Sequence, residues 1–103
     1  MAAQPEPFDD TQSRTISEVL KAVGHPIRLR IVDELARKER NVGELAEILG
    51  EKQAIVSQQL KILRMVALVQ TERREGKSYY SLANPHLVDL LGCMRRCVCF
   101  EDR

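Results

Sequence analysis

The stretch from Asn41 to Leu68 constrains the fold most strongly, because it contains two amphipathic helical periods joined by a short turn. Apolar residues recur in each half at the spacing of a helix with one buried face. Gly50 lies between them, where the end of a helix favours a residue that adopts positive φ. The apolar positions are Val42, Leu45, Ala46 and Leu49, then Val56, Leu60, Leu63 and Val66. Two short helices joined by a tight turn indicate a helix-turn-helix.

The second of these helices has an outward face that suits DNA. Amide side chains can bind adenine edges, small apolar groups contact the thymine methyl, and lysine binds phosphate. Glutamine and lysine are also common on solvated helices, so the face alone favours DNA only modestly. The predicted contact residues are Gln53, Ala54, Ile55, Ser57, Gln58, Gln59 and Lys61.

After the helix-turn-helix, the sequence pattern changes from the helical period to an alternation of residues typical of a strand. Residues 69–74 and 78–82 alternate like strands, and Glu75-Gly76 forms a short turn between them, which indicates a β-hairpin. Arg73, Arg74 and Lys77 make its tip cationic. The segment from Lys52 to Lys77 carries six cations and two anions, although the whole chain has a net charge of +1. A helix-turn-helix followed by a basic hairpin predicts a winged helix that contacts nucleic acid.

Amphipathic helices precede and follow the winged helix. Ser13 or Thr15 is the predicted cap of the first helix, which ends at Gly24, and His25-Pro26 opens the next helix. Asn84 is the predicted cap of the last helix. The apolar stripes of the first and last helices exceed what so small a core would cover, which predicts a symmetric homodimer. The interface residues would be Ile16, Val19, Leu20, Leu87, Leu90, Leu91 and Met94.

The length of 103 residues predicts one domain. We expect a disordered acidic tail over 1–12, a DNA-binding and dimerisation domain over 13–99, and a short tail over 100–103. The expected fold class is mainly α with a small β-hairpin, a winged helix-turn-helix that dimerises through its first and last helices. No secretory signal or apolar run long enough for a membrane span is present, so we expect a cytoplasmic protein without a membrane partner.

From about Leu20 to Leu91 the sequence resembles the ArsR/SmtB family of small bacterial winged-helix repressors. The motifs that carry the resemblance are LKAVGHPIRLRIVDEL, NVGELAEILGEKQAIVSQQLKILRMVALV and RREGKSYYSL. It implies a cytoplasmic homodimer that represses transcription at an imperfect palindrome of double-stranded DNA, with an inducer that weakens DNA binding. The recognition helix would span residues 53–64. Arg28 would contact the DNA backbone or be a surface charge. Gln58-Gln59 replaces the family's usual Arg-His or similar pair, so the operator sequence stays open.

The family's sensing sites are only partly represented in this sequence. The arsenic-type Cys-x-Cys position is occupied by Asn41-Val42-Gly43, so that site is absent. The zinc-type positions hold Asn84-x-His86 and Cys97-x-x-Phe100 and lack the carboxylates. Substitution of cysteine for histidine shifts the preference towards softer ions.

Three cysteines near the end of the sequence are the remaining candidates for sensing. Cys93 and Cys97 are four residues apart and share a helix face, and Cys99 follows. Their thiolates could hold Cd(II), Pb(II) or As(III), or Zn(II) with His86 of the other subunit. They could instead form a disulfide or polysulfide link, with Arg95 and Arg96 favouring the thiolate. Cysteines that only fill the dimer seam are the third possibility.

Other classes of function fit the sequence less well. A thiol oxidoreductase would require a pocket and usually a general base or an orienting histidine. The sequence offers no glycine-rich cofactor loop, no Cys-x-x-Cys motif and no obvious cleft. A winged helix that binds a protein is disfavoured by the basic wing and the polar recognition face. We therefore expect a regulator rather than an enzyme, and a regulator without metal or redox sensing remains the alternative.

Overall fold

The computed structural model describes residues 5–98, which form five helices and a small antiparallel sheet. No helix within this range is long and apolar enough to cross a membrane. The elements are α1 (Asp10–Val23), α2 (Pro26–Arg37), β1 (Arg40–Asn41), α3 (Val42–Leu49), α4 (Gln53–Met65), β2 (Val69–Arg74), β3 (Lys77–Leu82) and α5 (His86–Val98).

Helix α1 begins at Asp10, so the predicted caps at Ser13 and Thr15 are wrong. Asp9 provides the cap: its carboxylate accepts from the backbone N–H of Gln12 at 2.8 Å, and the Gln12 side chain accepts from the N–H of Asp9 at 3.0 Å. This reciprocal capping box satisfies two backbone donors and extends the helix into the segment expected to be disordered. The predicted end at Gly24 is confirmed.

The helix-turn-helix is confirmed. Asn41 and Glu44 form a second capping box that starts α3. Gly50 ends α3 with φ of 69°, and this left-handed backbone directs the chain into α4. The cap of α2 is also as predicted, because His25 Nδ1 accepts from the N–H of Ile27 at 3.2 Å.

The predicted hairpin is present, and it belongs to a three-stranded sheet in the order β1-β3-β2. Glu75 and Gly76 both have positive φ, which matches the type of two-residue turn that joins twisted strands. The sequence analysis missed β1, in which Arg40 and Asn41 pair with Tyr80 and Tyr79. Two residues are too few to produce an alternating pattern, so pairing with β3 creates this strand.

The core lies between α2, α3 and α4, with the hairpin and α5 packed against it. Six side chains in these three helices are less than 2% exposed: Ile31, Val32, Leu45, Val56, Leu60 and Leu63. Leu87 and Leu91 add one face of α5 to this cluster. The core therefore fixes the recognition helix α4 against the two helices that precede it.

The left-handed turn at Gly50 yields a stability prediction. Gly50→Ala should lower the free energy of unfolding by about 1 kcal/mol, because the new Cβ strains a backbone at positive φ. Gly92→Ala is the matched control, since Gly92 is helical and its added Cβ would meet only Arg96 Nη1 at 3.6 Å. We expect the control to be neutral or stabilising by up to about 1 kcal/mol. Urea denaturation measures both, and equal effects would contradict the prediction.

Candidate nucleic-acid interface

The exposed face of α4 carries most of the predicted groove contacts. Successive helical residues rotate by about 100°, so Gln53, Ala54 and Lys61 lie within about 60° of Ser57, and Gln58 lies about 100° from it. All five side chains are exposed. Amide, hydroxyl and ammonium groups thus project from one side of the helix.

Ile55 and Gln59 differ from these five residues. Each lies about 160° from Ser57 around the helix, and each is half-buried. Gln59 Oε1 accepts a hydrogen bond from Arg28 Nη1 at 2.8 Å. Contacts of Ile55 and Gln59 with bases stay predictions, but both side chains lie against the protein rather than at the centre of the exposed face.

Arg28 is half-buried and has partners on two other helices. Its Nε donates to the carbonyl of Ala22 at 2.6 Å, and its Nη2 donates to the carbonyl of Lys21 at 3.4 Å. Both carbonyls belong to the last turn of α1, where helical carbonyls lack helical partners. Together with Gln59, these contacts engage all three nitrogens of the guanidinium within the subunit.

The wing presents the predicted cations, and they have different surroundings. Lys77 and Arg73 are exposed, and Arg73 Nη1 donates to Ser78 Oγ at 3.3 Å. Arg74 forms an ion pair and hydrogen bond with Glu39, and its guanidinium lies 4.4 Å from the centre of the Tyr79 ring. The Glu39 hydrogen bond raises the pKa of Arg74, although burial opposes the shift. Arg73 and Lys77 are therefore the less constrained cations of the wing.

Of the three cysteines predicted to sense a signal, Cys93 and Cys97 lie within the described residues. Cys93 Sγ and Cys97 Sγ are 3.9 Å apart on α5, and both side chains are exposed. The hydrogen bond with Cys93 raises the pKa of the Cys97 thiol, and the nearby Arg96 charge lowers it to a lesser extent. Cys99 lies outside the described residues, as does the predicted tail over 100–103.

The other residues predicted near the thiols lie elsewhere. Arg95 Nη2 donates to Asp33 Oδ1 of α2 at 2.5 Å. His86 is exposed, with Nδ1 3.7 Å from Asp89 Oδ2. It is eleven residues before Cys97, about 16 Å along a helix axis, so the two cannot share an ion within one chain. Within residues 5–98, no three His, Cys, Asp or Glu side chains form a group that could hold a metal.

Comparisons with known proteins agree with this geometry. Residues 25–71 match the family model described as "Bacterial regulatory protein, arsR family". The chain is 39% identical over 87 residues to a "Transcriptional repressor SmtB homolog" of Synechocystis, which covers 84% of this chain and 66% of that protein. The chain belongs to the ArsR family. It is a DNA-binding transcriptional regulator with a winged helix-turn-helix fold.

Two solved structures extend the likeness across the fold of this ArsR-family protein. HlyU from Vibrio cholerae superposes with a TM-score of 0.81 at 30% identity, over 88% of this chain and 99% of that one. A domain of Mb0332 from Mycobacterium bovis is described as a homodimeric winged helix-turn-helix DNA-binding domain. It superposes with a TM-score of 0.78 at 26% identity. That match covers 91% of this chain and 90% of the other.

The residues predicted for the dimer interface of the ArsR-family protein fall into two groups. Leu87 and Leu91 are buried within the subunit, and Ile16, Val19 and Leu90 are half-buried. Leu20 and Met94 are 54% and 52% exposed. With neighbouring side chains of α1, α2 and α5 they line an apolar groove of about 230 Å³.

Sequence reasoning missed two polar links around the DNA-binding elements of this ArsR-family protein. Gln59 was predicted to contact DNA and Arg28 to contact the DNA backbone or be a surface charge, but their mutual contact joins residues 31 positions apart. No partner was predicted for Glu39, which binds Arg74 across 35 positions. The residue types were visible in the sequence, whereas the pairing depends on how α2, α4 and the wing pack.

The thiol pair yields a prediction about acidity. Cys93→Ala removes the hydrogen bond and the neighbouring thiol that raise the pKa of Cys97, so this pKa should fall. The Cys97 thiolate would then form at lower pH. The rate of alkylation by iodoacetamide, followed by mass spectrometry of the Cys97 peptide across pH, measures the shift. Met94→Ala, an exposed change beside the pair, is the control, and an unchanged or raised pKa in Cys93→Ala would contradict the coupling.

Proposed function

We propose that this regulator is a cytoplasmic homodimeric repressor that binds an imperfect palindrome of double-stranded DNA. A soft metal ion or a thiol-reactive signal at the C-terminal cysteines would release it. The observation that carries the DNA-binding part is the exposed polar face of α4 beside a basic wing. The observation that carries the sensing part is the pair of exposed thiols on α5.

The proposed DNA contacts divide into groove and backbone contacts. Gln53, Ala54, Ser57 and Gln58 would face the major groove, because they share the exposed side of α4. Lys61 on α4 and the wing residues Arg73, Arg74 and Lys77 would bind phosphates, which position a protein on the duplex without reading sequence. The contacts predicted for Ile55, Gln59 and Arg28 stay predictions.

The apolar groove supports the proposed dimer. Leu20 of α1 and Met94 of α5 are more than half exposed at this groove, and Leu29 of α2 is 43% exposed beside them. A second subunit that packed its α1 and α5 here would remove these side chains from water. The relative from Mycobacterium bovis is described as homodimeric and matches 91% of this chain. Two α4 helices related by a twofold axis would suit a palindromic site.

The thiol pair has a separation that suits a tetrahedral metal. Two thiolates bound at about 2.3 Å in tetrahedral geometry are about 3.8 Å apart, close to the 3.9 Å between Cys93 and Cys97 Sγ. With two sulfurs bound, the metal ion has further coordination positions for Cys99 or for His86 of the second subunit. Soft donors favour Cd(II), Pb(II) or As(III), with Zn(II) as the borderline ion. The bound ion would supply a cross-link between the residues that hold it.

The effect of a ligand or oxidant at the cysteines on DNA binding would be transmitted through α5. Asp33 of α2 binds Arg95, so a change in the last turns of α5 can reach the helix that packs against α4. A coupling free energy of about 1–3 kcal/mol would weaken DNA binding roughly 5- to 150-fold. The alternative is a regulator whose cysteines only fill space. Membership of the ArsR family favours either form of regulator over a thiol oxidoreductase.

Substitution of the wing cations tests the DNA interface. Arg73→Ala and Lys77→Ala should each weaken binding and reduce the slope of log K against log salt by about 1.8, because each removes one phosphate contact from each of the two subunits. Arg14→Ala is the control, since Arg14 is an exposed cation on α1 whose one ion pair in the described part of the chain is with Asp10 in the same helix. Fluorescence anisotropy with a duplex from the DNA upstream of its own coding sequence measures both quantities. Wing variants that keep the affinity and slope of the control would exclude a wing contact.

Substitution of the thiols tests sensing. Reduced protein on the same duplex should be released by one of Cd(II), Pb(II), As(III), Zn(II) or a polysulfide donor. Cys93→Ser/Cys97→Ser should bind DNA normally and lose at least nine-tenths of this response, while Cys99→Ser reports on the third thiol separately. Release that survives all three substitutions would disprove thiol sensing. A protein that binds DNA and ignores every reagent would be the regulator without sensing.

A further inference from the structure

The contacts of Arg28 connect the helix proposed for dimerisation with the helix proposed for DNA recognition. One side of its guanidinium binds the last carbonyls of α1, the helix proposed to dimerise. The other side binds Gln59 in the middle of α4, the recognition helix. We propose that Arg28 is a positioning residue that sets the orientation of α4 relative to the end of α1 through Gln59. This inference rests on the proposed DNA-binding function.

The chemistry of the three contacts favours a fixed link. The guanidinium is planar and donates in a rigid fork, and charge-assisted hydrogen bonds are shorter and stronger than neutral ones. The bonds to Ala22 O and Gln59 Oε1 measure 2.6 Å and 2.8 Å. Because Arg28 has no acceptor, the amide oxygen of Gln59 must face it. The half-buried setting of both side chains protects the link from competing water.

The position of Gln59 makes the link effective. Gln59 is the seventh of the thirteen residues of α4, and Ser57, Gln58 and Lys61 lie within one turn of it. A rotation of α4 by about 10–20° moves the ends of these side chains by about 1–2 Å, whereas a binding constellation tolerates about 0.5 Å. The core residues Val56, Leu60 and Leu63 fix α4 by apolar packing, which resists rotation less directionally than a hydrogen bond.

The link also explains why these two residues are poor candidates for direct contact. A phosphate-binding arginine presents its donors to solvent, but three of the five N–H groups of Arg28 donate within the subunit. A base-reading glutamine needs both its amide groups, but the oxygen of Gln59 is engaged. The engaged N–H groups of Arg28 and the engaged amide oxygen of Gln59 thus favour a positioning role over direct contact with DNA.

The test uses the full-length reduced protein and a duplex that it selects from a random-sequence pool. Arg28→Lys keeps the charge and loses the fork, and Gln59→Met keeps the size and loses the acceptor. We expect each to weaken binding about tenfold per folded molecule without changing the salt slope. The double variant should bind no more weakly than either single variant, because both break the same link. Arg37→Lys, on the same helix and within residues 5–98 paired only with Asp33 one turn away, should stay within twofold of the unaltered protein.

Three results would overturn the proposal. A phosphate contact predicts that Arg28→Lys binds normally while Arg28→Ala lowers the salt slope by about 1.8, since both subunits of the dimer lose the contact. Independent contacts with DNA predict that the effects of the two single variants multiply. A purely structural role predicts lower stability to urea with unchanged affinity for DNA per folded molecule. If Arg28→Lys does not fold, Gln59→Met provides the same comparison of stability with affinity. Failure of the unaltered protein to select any duplex would instead refute DNA binding, and this inference with it.

Discussion

The apolar layer shared by α2, α3 and α4 is the interaction on which the rest of the structure depends. Its six nearly inaccessible side chains come from three consecutive helices, so burial of one helix requires the other two. This layer buries one face of α4 and leaves the opposite face of the helix at the surface of the subunit. The hairpin and α5 then pack on the remaining sides of the same core.

Arginine side chains on α2 add directional contacts around this layer. Arg28 binds carbonyls at the end of α1, and Arg30 Nη1 donates to the carbonyl of Leu49 at the end of α3 at 3.3 Å. Positive charge is favourable at helix C-termini, where backbone acceptors lack partners. A single helix therefore holds the ends of its two neighbours, and Arg28 extends this arrangement to the recognition helix.

The sequence predicted the elements that local patterns determine. The helix-turn-helix, the hairpin and the caps at His25 and Gly50 follow from periodicity and from residues with strong backbone preferences. The start of α1 was misjudged because Asp9 and Gln12, a less common pairing than the usual capping-box pair, provide the cap. The exposed residues of the recognition face were predictable from helical spacing, although Ile55 and Gln59 lie outside it. The strand β1 and the partners of Arg28 and Arg74 depend on tertiary packing, which no local window contains.

The short strand β1 has a consequence for how the subunit opens. Asn41 is the last residue of β1, paired with Tyr79, and it is also the N-cap whose side chain accepts from the N–H of Glu44. Asn41 therefore belongs both to the sheet and to the start of the helix-turn-helix. Because they share this residue, we expect the sheet and the helix-turn-helix to open together in local unfolding.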